Sequence, residues 1–162
     1  MTSRRAFVTA AVRGVAFALV TALFTAVPLF HGFLWCVYIG FFLTMAFGVK
    51  LSEYPNYLCS LLVGYVWAFA YIFGHQWLEA WFAMPSLLAL SLSELVLTFL
   101  LIFVHLRFLS RTWLNKVPAV FAAIATVFAA GGIQHLPLCA LSAVIGISMA
   151  VGTEVLIQRL VK

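Results

Sequence analysis

Residues 85–106 read PSLLALSLSELVLTFLLIFVHL, an apolar run opened by a proline and holding one acid, Glu94, and no lysine or arginine. About 20 such residues, at 1.5 Å rise each, match the ~30 Å hydrocarbon layer of a bilayer, so this stretch predicts a membrane-spanning helix. Working outward, five further apolar runs lie between breaks of Pro, Gly and charge: Phe7–Phe30, Phe33–Val49, Pro55–Gly74, Pro118 to Gly131-Gly132, and Pro137–Ile157. The whole chain has 162 residues, of which 66% are hydrophobic and 8% charged. A soluble domain carries about 25% charged residues, so this chain lacks the polar surface to be one. The expected fold is an all-α membrane protein of six transmembrane helices, forming a single domain over residues 1–162.

The charges test that count independently. Six spans put both termini on one side of the membrane, with the second–third and fourth–fifth loops. Arg4, Arg5, Arg13, Lys50, Arg107, Arg111, Lys116, Arg159 and Lys162 are all nine basic residues, and every one falls on that side. Such a partition is the positive-inside pattern, which predicts cytoplasmic N- and C-termini. It also accounts for the basic balance without a nucleic-acid partner, and none is expected. Trp35, Trp77, Trp81 and Trp113 lie near predicted span ends, where an interfacial aromatic belt forms.

A weak internal repeat emerges at an offset of 82, where Thr44 meets Thr126, Pro55 meets Pro137, Ser60 meets Ser142, Gly64 meets Gly146 and Ala68 meets Ala150. Repeats over 1–80 and 81–162 would each hold three spans, and an odd number inserts the copies in opposite senses. Inverted repeats of this kind are a transporter design with the solute site near the midplane between halves. Chance coincidence explains the matches equally well. Small residues at i, i+4 spacing form three stripes: Gly40, Thr44 and Gly48; Ser60, Gly64 and Ala68; Ser142, Gly146 and Ala150. These let helix backbones approach closely, within the bundle or between protomers, and a homo-oligomer is expected. Alternatively they line a narrow pore.

Glu94 is the chemical outlier, because a carboxylate at hydrocarbon depth needs a partner, a cavity or a proton. Ser91 and Thr98 share its helix face, Arg13 is a candidate partner, and Trp67 either lines a slot for a flat solute or fills a groove. These five residues form the expected solute pathway, with a structural polar clamp as the competing account of Glu94. Glu154, one turn before Gln158, is expected to snorkel to the interface. On the outer side His31, His75, Glu79 and His135 could sense acid, although scattered surface histidines are the commoner case. Cys36, Cys59 and Cys139 lie singly in apolar runs and read as small buried hydrophobes. No zincin, nucleophile-elbow or phosphate-loop motif is present, and neither enzymatic activity nor a cofactor or metal is expected.

Gly64 to Phe69 with its Trp67-Ala68 pair, Val117-Pro118-Ala119, Phe128-Ala129-Ala130-Gly131 and Gly152-Thr153-Glu154 together resemble the small bacterial inner-membrane proteins known as domain of unknown function 1097. The resemblance spans nearly the whole chain. It implies a bacterial inner-membrane location and puts Glu154 among family-like positions. Phe47-Gly48-Val49-Lys50 is a thinned version of a more glycine-rich family segment. The expected function is a small-solute channel or secondary transporter, for a small neutral or cationic nitrogen compound. The alternative is a non-transporting accessory or scaffold protein.

Overall fold

The computed structural model describes residues 3–48 and 50–161, so Val49, the expected end of the second span, lies outside the described residues. Six α-helices run in the order α1 (Ser3–Ala26), α2 (Leu34–Ala46), α3 (Tyr54–Phe82), α4 (Ser86–Arg107), α5 (Val117–Ala129) and α6 (Leu136–Leu160). Single 3-10 turns at Pro28–Phe30, Leu51–Glu53 and Ile133–His135 precede α2, α3 and α6. Prolines punctuate the starts: Pro85 stands just before α4, and Pro55, Pro118 and Pro137 each occupy a first turn. A missing N–H costs nothing there, because first-turn amides have no intrahelical acceptor.

Among the described residues, four helices are long and apolar enough to cross a membrane: Ser3–Ala26, Leu51–Phe82, Ser86–Arg107 and Ile133–Leu160, two of them counted with their leading turn. This is consistent with a membrane protein. The helices α2 and α5 have 13 residues each, about 20 Å, and fall short of the ~30 Å hydrocarbon layer. The expected second span, Phe33–Val49, therefore overreaches. Its helix stops at Ala46, and the chain turns through Gly48 at φ +60°, a conformation glycine adopts without strain. The expected third span falls short, since α3 passes Gly74 and continues to Phe82. A β-carbon at Gly74 would come within 3.1 Å of Leu97 Cδ1, so this glycine serves the contact of α3 with α4 rather than ending a helix. Similarly α1 ends at Ala26, and Pro28–Phe30 forms a separate turn whose Phe30 stacks back on Phe24.

Two compact units divide the chain, one of Met1–Tyr54 with Pro137–Lys162, the other Pro55–Leu136. Their limits do not follow the halves 1–80 and 81–162. Instead α6 packs with α1 and α2, while α3 packs with α4 and α5.

In the first unit, Val20, Phe24 and Val37 form a core flanked by Phe17, Phe30, Phe33, Leu34, Ile145 and Met149. Here α2 and α6 touch backbone to backbone. A β-carbon at Gly40 would strike the Ala143 carbonyl, and one at Gly146 would strike the Val37 carbonyl. Thr44 is buried and donates its hydroxyl to the Gly40 carbonyl at 2.7 Å, spending its polar group within its own helix. Cys36 and Cys139 are fully buried and hydrogen-bonded to each other.

The second unit repeats this crossing with other helices. A β-carbon at Gly64 would meet the Val120 carbonyl and Ala123. Beside it, Tyr65 and Thr126 share a hydroxyl–hydroxyl bond of 3.2 Å. Ser60, fully buried, donates to the Trp113 carbonyl at 3.3 Å and accepts from the Lys116 amide at 3.1 Å. His105, also buried, donates from Nδ1 to the Leu114 carbonyl at 2.7 Å. These bonds satisfy backbone groups of the α4–α5 connection that lipid could not. Ser60→Ala is expected to lower stability by about 1–3 kcal/mol, because it orphans the Lys116 amide; thermal unfolding in detergent checks this.

Candidate functional site

Arg13, Lys50 and Glu154 of the first unit gather where α2 stops. With 13 residues against 24 in α1 and 25 in α6, α2 leaves part of both neighbours uncovered. A pocket of about 630 Å³ occupies that space, lined by Arg13, Thr44, Gly48, Lys50, Ser52, Glu154 and Gln158 together with apolar neighbours. Arg13 is the eleventh residue of α1, about 15 Å along its axis. Its Nη2 lies 2.9 Å from Glu154 Oε2. The other carboxylate oxygen accepts from Gln158 Nε2 at 3.3 Å and lies 3.9 Å from Arg5 Nη2. Two guanidinium groups and an amide thus converge on one carboxylate. Arg13 Nε is buried and has no hydrogen-bond partner.

Arg13 therefore pairs with Glu154, not with Glu94 as expected. The sequence signal was an arginine within an apolar helix, but its partner lies 141 residues away. Thr44, Lys50, Ser52 and Gln158 carried no separate signal, since each is ordinary at a helix end or turn.

The other expected pathway residues belong to the second unit. Glu94 is half-buried on α4, near enough to Tyr71 for electrostatic contact. Ser91 donates back to the Leu87 carbonyl at 2.8 Å, and Thr98 shares a 2.7 Å bond with the Tyr71 hydroxyl, so neither serves Glu94. Trp67 is half-buried on α3. Of the small-residue stripes, Gly40, Thr44, Ser60, Gly64, Ala68, Ser142, Gly146 and Ala150 are buried. Gly48 is exposed, and a β-carbon there would meet nothing within 4 Å; its φ, not its size, is what the turn uses.

The histidines expected on the outer side are held separately. His31 Nε2 bonds the Thr25 carbonyl at 2.8 Å, and His75 Nε2 lies 3.5 Å from Glu79 one turn along α3. His135 closes the turn before α6. Because α3 continues past Gly74, His75 and Glu79 belong to α3 itself.

A family profile described as "Protein of unknown function (DUF1097)" matches residues 8–158. The chain belongs to the DUF1097 family. That match covers every residue of this DUF1097 member's pocket, from Arg13 to Gln158. No curated protein and no solved structure matches it.

Proposed function

We propose that this protein carries a small polar solute across the bacterial inner membrane, as a channel or secondary transporter with six membrane crossings and both termini cytoplasmic. The observation that carries the reading is the pocket at the end of α2, where Arg13, Glu154, Gln158, Thr44, Lys50 and Ser52 meet in an otherwise apolar bundle. Ionisable groups inside a membrane protein are costly, and a water-accessible path is what commonly repays them. A void lined by ionic and hydroxyl groups can replace part of a solute's hydration shell, as narrow pathways do.

Spacings of 82 and 83 residues support the same reading, with the chain as an internal duplication. The turns Leu51–Glu53 and Ile133–His135 stand 82 residues apart, and α2 and α5 have equal lengths. Gly146 lies against the Val37 carbonyl and Gly64 against the Val120 carbonyl, each glycine pair and valine pair being 82 or 83 residues apart. Three spans per copy would insert the copies in opposite senses, the inverted-repeat plan of many transporters.

The test is flux into proteoliposomes of the full chain, using urea, acetamide, methylammonium and glycolate. At least one is expected to enter faster than into protein-free vesicles. A folded, monodisperse preparation that moves none of them overturns the transport reading in favour of an accessory or scaffold role.

A further inference from the structure

Going beyond the transport reading, we infer that the pocket at the end of α2 seats the headgroup of an anionic phospholipid, a phosphodiester of the phosphatidylglycerol type. The inference needs the membrane placement proposed above but no solute movement. Three observations support it. First, α2 has 13 residues where α1 has 24 and α6 has 25, and a void of about 630 Å³ lies where it stops. An element shorter than the hydrocarbon layer thins the bilayer around it, which draws lipid headgroups inward to the level of that void. Second, the lining has two characters. Lys50, Ser52 and Gln158 offer hydrogen-bond donors, while Met45, Leu51 and Val155 offer apolar contact. A free phosphate uses the donors alone. A phospholipid uses both, with its phosphodiester on the donors and its glycerol esters and chains on the apolar side.

Third, the charges select an anionic headgroup. Arg13, Lys50 and Glu154 line the pocket. The unit's other described charges are Arg4 and Arg5 at the start of α1, Glu53 in the turn after Lys50, and Arg159 near the end of α6. Five basic groups against two carboxylates leave a net charge of +3. Glu154 is shared by Arg13 and Arg5, whereas Lys50 has no ion pair among the described residues. Lys50, Ser52, Gln158 and Arg5 are all exposed, so a headgroup reaches them with the Arg13–Glu154 pair left intact. An ethanolamine headgroup would bring its own ammonium into this positive field, while a glycerol headgroup brings only hydroxyls.

Native mass spectrometry of the full chain, delipidated in a neutral detergent, tests the assignment with dioleoylphosphatidylglycerol, dioleoylphosphatidylethanolamine and inorganic phosphate as probes. Phosphatidylglycerol is expected to bind about fivefold or more tightly than phosphatidylethanolamine, and phosphate more weakly than either. Lys50→Gln and Arg5→Gln are each expected to weaken phosphatidylglycerol about fivefold. Arg111→Gln removes a basic residue of the other unit and is expected to change nothing. All three side chains are exposed, so the fold is expected to hold, and thermal unfolding without lipid checks it. Equal binding of the two lipids overturns the proposal, as does undiminished phosphatidylglycerol binding by Lys50→Gln and Arg5→Gln. Phosphate bound as tightly as phosphatidylglycerol overturns the lipid assignment, and an equal loss in Arg111→Gln overturns its placement. Flux is not among these readouts, so failure of the transport reading and failure of this one are told apart.

Discussion

Gly146→Leu is expected to leave the first unit unable to assemble. The added side chain would start inside the Val37 carbonyl, with the Phe41 amide nitrogen beside it, and both obstacles are backbone. A flexible side chain could swing away, but here α2 would have to move as a body. Overpacking a core costs about 1–3 kcal/mol when side chains yield, and more is expected where backbone must. Gly146→Ala already meets the same backbone carbonyl, so it too is expected to cost more than about 1–3 kcal/mol. Gly152, on the same helix, has nothing within 4 Å of its would-be β-carbon. Gly152→Ala is therefore expected to be neutral, or stabilising by up to about 1 kcal/mol through helix propensity. Thermal unfolding of the three variants in one detergent checks the series, and equal behaviour at the two glycines would contradict the close crossing.

The second large effect concerns the ion pair. Glu154→Leu strands the Arg13 charge and brings Arg5 no compensation. Removing one partner of a fully buried pair costs about 3–5 kcal/mol. Here side-chain exposure is 21% for Arg13 and 31% for Glu154, so water from the pocket softens the loss to about 2 kcal/mol. The double variant Arg13→Met with Glu154→Leu removes both charges and is expected to recover stability to within about 1 kcal/mol of the natural protein. It is expected to move none of the solutes that the natural protein moves. Stability restored while flux stays absent separates the pair's part in the pathway from its part in holding helices together. Unfolding curves combined with vesicle influx read both quantities.

Much of the architecture was legible because it depends on composition and spacing. Six apolar runs correspond to six helices, and Pro55, Pro85, Pro118 and Pro137 mark four of the starts. Gly40, Gly64 and Gly146 were legible as contact points through their small neighbours one turn away. Helix ends were less so. Hydropathy continues through Phe47 and Gly48 although the helix has finished, because a turn at the membrane surface can be as apolar as a span. Gly74 looked like a stop, yet α3 tolerates it, with Leu97 packed where a side chain would be.

The site was harder to read. Arg13 stands out in any hydropathy trace, but two acids within apolar runs, Glu94 and Glu154, were available as partners. Only the packing of α6 with α1 chooses between them. Glu94 drew attention as the more central charge, while the pocket formed around the one nearer a helix end. That location follows from the brevity of α2, a length that apolar flanking residues conceal.

The same brevity bears on membrane voltage. At about 20 Å, α2 insulates roughly two-thirds of the ~30 Å layer. Once water fills the void beside its end, the electrical potential has only that thinner dielectric in which to fall. An ion then moves through a field about half again as steep, with the full ~2.3 kcal/mol per charge per 100 mV delivered over the shorter path. If the solute carried is an ion, a charge crossing beside α2 would feel membrane polarisation as well as concentration.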